Sequence, residues 1–78
     1  MLFRSRAAFE PVEPLTEREE EALALVARGL TNAEIGEQLY VSPSTVKTHL
    51  ASLQGKLGAR NRTELAIWAW QSGRMADT

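Results

Sequence analysis

Seventy-eight residues with no cysteine and a formal net charge of −1 allow one small domain, and exclude a disulfide framework, a cysteine-ligated metal and a thiolate nucleophile. No apolar run approaches the roughly 20 residues that cross a bilayer, and the opening MLFRSRAAF is too short and too weakly apolar for a signal peptide. The lack of cysteine suits a reducing cytoplasm, where the chain is expected to work.

Residues 1–14, MLFRSRAAFEPVEP, have no sustained period, and Pro11 and Pro14 discourage regular structure, so they read as a linker or tail. Order is expected from LTERE. Thr16 followed by Glu19 makes a capping box, and Glu17 and Glu19 suit the positive end of a helix. Leu23, Val26 and Ala27 form an inward stripe, with Leu30 just beyond and Gly29 as the stop, which predicts a helix over 17–28. TNAE repeats the start signal with Thr31 and Glu34, and Ile35 and Leu39 face inward on a short helix over 32–39. Gly36 beside them is expected to let another helix approach, at about 1 kcal/mol of propensity. Tyr40 and Val41 are expected to cover the edge of the core.

Ser42 followed by Pro43 predicts the next start, a cap hydroxyl and then a proline whose missing N–H costs nothing. Val46, Leu50, Leu53 and Leu57 make one buried face of a helix over 43–57, and Gly58 ends it. NRTE predicts a third capping box, Asn61 with Glu64, opening a last helix through LAIWAWQ to Gly73. The chain is therefore expected to hold an all-α domain of four helices over 15–73, with 74–78 as a C-terminal tail. QLYVSPS joins the second and third helices as a helix-turn-helix, with one supporting helix on each side.

Charge divides along the chain. Residues 1–37 hold eight acids against four arginines, whereas Lys47, Lys56, Arg60, Arg62 and Arg74 face only Glu64 and Asp77 in the rest. Such a division either orients the domain on a polyanion or is ordinary surface chemistry.

With its apolar face inward, the third helix presents Ser44, Thr45, Lys47, Thr48, Ala51 and Ser52. Small, mostly uncharged residues suit close entry into a major groove. Lys47 is the base-edge candidate for guanine, Thr48 offers a methyl and a hydroxyl, and Ala51 can make only an apolar contact. Ser44 and Thr45, at the helix start, suit a phosphate. His49, Lys56, Arg60 and Arg62 are placed for backbone phosphates, or else are a half-buried ring and solvated charges. Gly55 costs helix propensity and implies close approach by DNA or by another backbone. Trp68 and Trp70, two apart on the fourth helix, cannot both point inward, so at least one is exposed or packed on a partner.

LTERE, GLTNAEIGEQLYVSPSTVKTHLASL and KLGARNRTELA, in this order and spacing, resemble the LuxR/GerE-type helix-turn-helix domain. The resemblance covers roughly 15–73 and is nearest to the output domains of NarL/FixJ-type two-component response regulators. It implies a tetra-helical fold with winged-helix-like recognition but no wing, the third helix reading double-stranded DNA and the fourth forming a homodimer on it. It also implies that Lys47 and Thr48 face the groove while His49 and Lys56 serve the DNA backbone. Ala51 stands where relatives often have a polar or basic residue, Ser52 where they often have asparagine, and Gly55 where they often have a basic one. An N-terminal receiver domain, phosphorylated on aspartate, would precede such a module; a stand-alone small regulator is the other form this resemblance admits.

Enzymatic activity is not expected. The lone His49 has no cysteine and no paired carboxylate near it, and no glycine-rich phosphate loop follows a strand. No cofactor, metal, membrane or small-molecule substrate is implied. The rival to DNA binding is a protein-interaction or dimerisation module of the same fold, acting through the fourth helix or the acidic first helix.

Overall fold

The computed structural model describes residues 13–75. Most of the expected linker, residues 1–12, and residues 76–78 of the expected tail lie outside them. Among the described residues there are four helices and no strand: α1 Glu17–Ala27, α2 Asn32–Leu39, α3 Pro43–Leu57 and α4 Arg62–Gln71. Every start falls where its cap predicts.

The caps explain why. Thr16 Oγ1 accepts the Glu19 N–H at 3.1 Å while Glu19 Oε1 accepts the Thr16 N–H at 3.0 Å. Thr31 and Glu34 repeat the exchange at 3.2 and 2.9 Å. Each box satisfies two N–H groups that the helix cannot pair internally. Ser42 Oγ accepts the Thr45 N–H at 3.1 Å, with Pro43 at the first helical position. The third box closes only by half. Asn61 Oδ1 takes the Glu64 N–H at 2.9 Å, but the Glu64 carboxylate passes over Asn61 to the Arg60 N–H at 2.7 Å and the Arg60 guanidinium at 3.0 Å. Arg60 offers a backbone donor and a charged one to the same carboxylate, which outcompetes the single Asn61 N–H.

All four helices end on a left-handed residue, α4 on Gly73 (φ 86). Gly29 (φ 91) lets Leu30 N–H reach the Leu25 carbonyl at 3.2 Å, and Gly58 (φ 68) lets Ala59 N–H reach Gln54 at 3.0 Å. At α2 the position is taken by Tyr40 (φ 61), and Val41 N–H closes on the Gly36 carbonyl at 2.9 Å. This reversal turns the Tyr40 side chain out, 92% exposed, so only Val41 covers the core edge. It also explains Gly36. A Cβ there would meet the Val41 carbonyl oxygen at 2.6 Å and the Pro43 nitrogen at 3.5 Å, so the glycine makes room for the turn and for the start of α3.

The core joins all four helices. Leu23, Ile35, Val46, Leu53 and Leu65 are fully buried, with Ala22, Val26, Leu39, Leu50 and Ala69 around them. Leu57, Ala27 and Leu30 pack at its margin. Helix α1 lies against α4, α3 and α2, while α2 and α3 form the helix-turn-helix pair. The packed unit passes the expected boundary at Gly73, because Met75 is buried in the core and Arg74 binds Glu20 of α1.

Candidate nucleic-acid interface

Burying Val46, Leu50 and Leu53 fixes what α3 shows to solvent. Ser44, Thr45, Lys47, Thr48, Ala51, Ser52 and Gly55 are exposed, and His49 is half-buried at the margin. Lys47, Ala51 and Gly55, each four apart, line one stripe. Beyond Lys47 the stripe carries only a methyl and a hydrogen, so it is low there. At its end a shallow hollow is lined by Glu13, Ala51, Ser52, Gly55 and Lys56.

Within the set, hydrogen bonding decides what each group can offer. Thr48 Oγ1 donates to the Ser44 carbonyl at 3.3 Å, so outward it presents a methyl and an acceptor. Ser42 Oγ donates to Thr45 Oγ1 at 3.1 Å, which leaves the Thr45 hydroxyl proton free to turn outward. Lys47 makes no hydrogen bond or ion pair with another described residue, and neither does His49. A tight base contact has the best candidate in Lys47.

The remaining basic candidates each have a partner within the domain. Lys56 Nζ lies 2.7 Å from Glu19 Oε1 and 3.1 Å from the Pro14 carbonyl. Arg62 donates to Asn32 Oδ1 at 2.6 Å and to the Leu30 carbonyl, which ties the start of α4 to the α1–α2 connection. Arg60 forks onto Glu64 and holds that carboxyl below its ordinary range, by hydrogen bonds from its side chain and then its backbone. As phosphate contacts, Lys56 and Arg62 would have to share or exchange these internal partners, while Arg60, its side chain 85% exposed, still turns guanidinium N–H groups to solvent. The charge division along the sequence is not a division in space, because Lys56 and Arg74 from the second half neutralise Glu19 and Glu20 from the first.

Glu19 is a residue that sequence reasoning placed only as a cap. It is 5% exposed, and Ser52 Oγ donates to its second oxygen at 2.7 Å. Burial by itself raises its pKa. Hydrogen bonds from Lys56, Ser52 and the Thr16 N–H, with the Lys56 charge, outweigh that and lower it from 4.5 to about 2. The signal available in the sequence was thin: a serine and a lysine four apart on the predicted helix.

On α4, Thr63, Ile67, Trp70 and Gln71 form an exposed stripe. Ile67 is 47% and Trp70 54% exposed, and Trp70 Nε1 donates to the Ala27 carbonyl at 3.2 Å, which holds the ring across the end of α1. Trp68 instead packs against the core beneath the Arg74 guanidinium, 4.7 Å from its ring centre. Of the two tryptophans, Trp70 faces outward.

Among the described residues no group of three His, Asp or Glu side chains could hold a metal, and no helix is long and apolar enough to cross a membrane.

The family of bacterial regulatory proteins described as the luxR family (GerE) matches residues 13–69. The chain is 49% identical over 59 residues to the transcriptional regulatory protein LiaR of Bacillus subtilis, covering 76% of this chain and 28% of that protein. It is 48% identical over 59 residues to the transcriptional regulatory protein LnrK of the same organism, covering 76% and 27%. To the response regulator protein VraR of Staphylococcus aureus it is 41% identical over 68 residues, covering 87% and 32%. The chain thus spans about three-tenths of the length of these relatives. A four-helix domain with a helix-turn-helix at its centre, matched over most of its length, belongs to the luxR family of bacterial regulatory proteins.

Proposed function

We propose that this domain reads double-stranded DNA by laying α3 in the major groove, as the output module of a two-component response regulator in the cytoplasm. The observation that carries this is the exposed stripe of α3, where Lys47 has no partner among the described residues and its neighbours Thr48 and Ala51 are small. Lys47 would contact a base edge, with Thr48 and Ala51 beside it. Ser44 and Thr45 at the start of α3, and His49 at its margin, would take phosphates. Residues 15–73 form the reading unit, with Arg74 and Met75 packed onto it. Two copies would pair on DNA through the α4 stripe of Ile67 and Trp70, since one domain offers few contacts. The name of the relative VraR, a response regulator, supports a receiver domain as the partner joined through the N-terminal segment.

The test is fluorescence anisotropy with a library of short duplexes at two salt concentrations, for the natural domain and Lys47→Ala. Selection of a duplex that Lys47→Ala abolishes supports the reading. A folded domain that binds no duplex at low salt refutes autonomous DNA binding. It would favour the second reading, a dimerisation module acting through the half-exposed Ile67 and Trp70.

A further inference from the structure

We infer that Glu19 of α1 is a positioning residue for DNA recognition, fixing the roll of α3 about its own axis through Ser52 and Lys56; this rests on the reading of α3 as the recognition helix. The two oxygens of its buried carboxylate take three donors. Oε1 accepts the Thr16 N–H at 3.0 Å and Lys56 Nζ at 2.7 Å, and Oε2 accepts Ser52 Oγ at 2.7 Å. Ser52 and Lys56 are four apart, one turn above the other on α3. One rigid carboxylate, itself locked by the capping box of α1, therefore grips α3 at two points along its length.

The rest of the α1–α3 contact is apolar, and apolar burial has no direction. Hydrogen bonds weaken over a few tenths of an ångström and tens of degrees. The stakes for reading DNA are large. At the outer radius of a helix, about 5–6 Å, a roll of about 10° shifts an outward group by roughly 1 Å. That is enough to break a base-edge hydrogen bond of Lys47. The pair also stabilises the fold, but its directional hold is what apolar packing cannot supply.

Positioning and phosphate contact leave different marks. Lys56 faces Glu19, so it adds no counterion release, whereas a true phosphate contact adds about 0.9 to the salt slope. The experiment measures affinity for a selected duplex and for a random duplex over a series of salt concentrations, using the 78-residue chain, Ser52→Ala, Glu19→Gln and Lys56→Met. Ser52→Ala is the mild variant, changing no charge and leaving the ion pair in place. The expected result is a fall in the ratio of selected to random affinity, about 3-fold for Ser52→Ala and about 10-fold for Glu19→Gln. The salt slope of Ser52→Ala stays that of the natural chain.

An unchanged ratio in both Ser52→Ala and Glu19→Gln would overturn the inference. So would equal losses on both duplexes that follow the unfolded fraction, the mark of a merely structural role. A Lys56→Met variant that loses both affinities alike, with the slope reduced by about one, would show a phosphate contact and overturn it too. A natural chain that selects no duplex refutes DNA reading itself, which keeps the two failures apart.

Discussion

The carboxylate of Glu19 and the ammonium of Lys56 meet at 2.7 Å across 37 positions of sequence, fastening the start of α1 to the last turn of α3. Because the folded-state pKa of Glu19 lies near 2, below its ordinary 4.5, its stabilisation is complete above about pH 4.5. It is lost as the pH falls towards 2. The loss amounts to something on the order of 3 kcal/mol, a large share of the stability of so short a chain. Urea titrations from pH 7 to pH 2 should show this decline, and Glu19→Gln should start lower at pH 7 and decline less. A Glu19→Gln variant as acid-sensitive as the natural chain would refute the assignment.

Tyr40 adopts a left-handed backbone that an L-residue enters at roughly 1 kcal/mol or more, and its exposed ring recovers none of that by packing. Tyr40→Gly is therefore expected to stabilise the domain by about 0.5–1 kcal/mol, and Tyr40→Val to destabilise it by about 1 kcal/mol. Thermal unfolding followed by circular dichroism distinguishes the two. A drop in stability with glycine would mean that the tyrosine makes a contact worth more than its strain.

A Cβ placed on Gly55 meets nothing within 4 Å, so no backbone of this domain requires the glycine. Gly55→Ala should gain about 0.5–1 kcal/mol of stability and raise Tm by about 3–6 °C. Reduced affinity for the selected duplex in this stabilised variant would identify close approach of DNA as the reason for the glycine. Equal affinity would leave Gly55 without a role in binding.

Arg62 reaches Asn32 and the Leu30 carbonyl with two arms of one planar fork, which a lysine cannot reproduce. Arg62→Lys is expected to cost about 1–2 kcal/mol in a urea titration while leaving the salt slope of DNA binding unchanged, because the charge is kept. A fully stable Arg62→Lys with weakened binding would return Arg62 to the DNA interface.

Helix starts were legible in the sequence because a cap is a local event: Thr16 with Glu19, Thr31 with Glu34 and Ser42 with Pro43 lie within one turn. The outward face of α3 was legible for the same reason, since a period of 3.6 separates Val46 and Leu50 from Lys47 and Ala51. The third box failed only because a better donor sat one residue upstream, at Arg60. The roles of the basic residues were not legible. Lys56, Arg62 and Arg74 find partners 37, 32 and 54 positions away, which no local spacing encodes. The tryptophans stand between these cases. Helical geometry says that they diverge, and only the docking of α4 on α1 decides that Trp68 goes under Arg74 and Trp70 goes out.

That so many cations are answered at home bears on how such a domain would find its target in a chromosome. Grip on arbitrary sequence grows with each phosphate neutralised, and on α3 Lys47 is the cation left without a partner among the described residues. Such a domain would leave random stretches quickly and travel mostly by release and recapture instead of long slides. With up to about 10⁹ decoy positions competing in a genome, a weak general grip becomes an advantage, because fewer copies are sequestered away from the operator. Where two copies pair as proposed, occupancy rises steeply with their pairing.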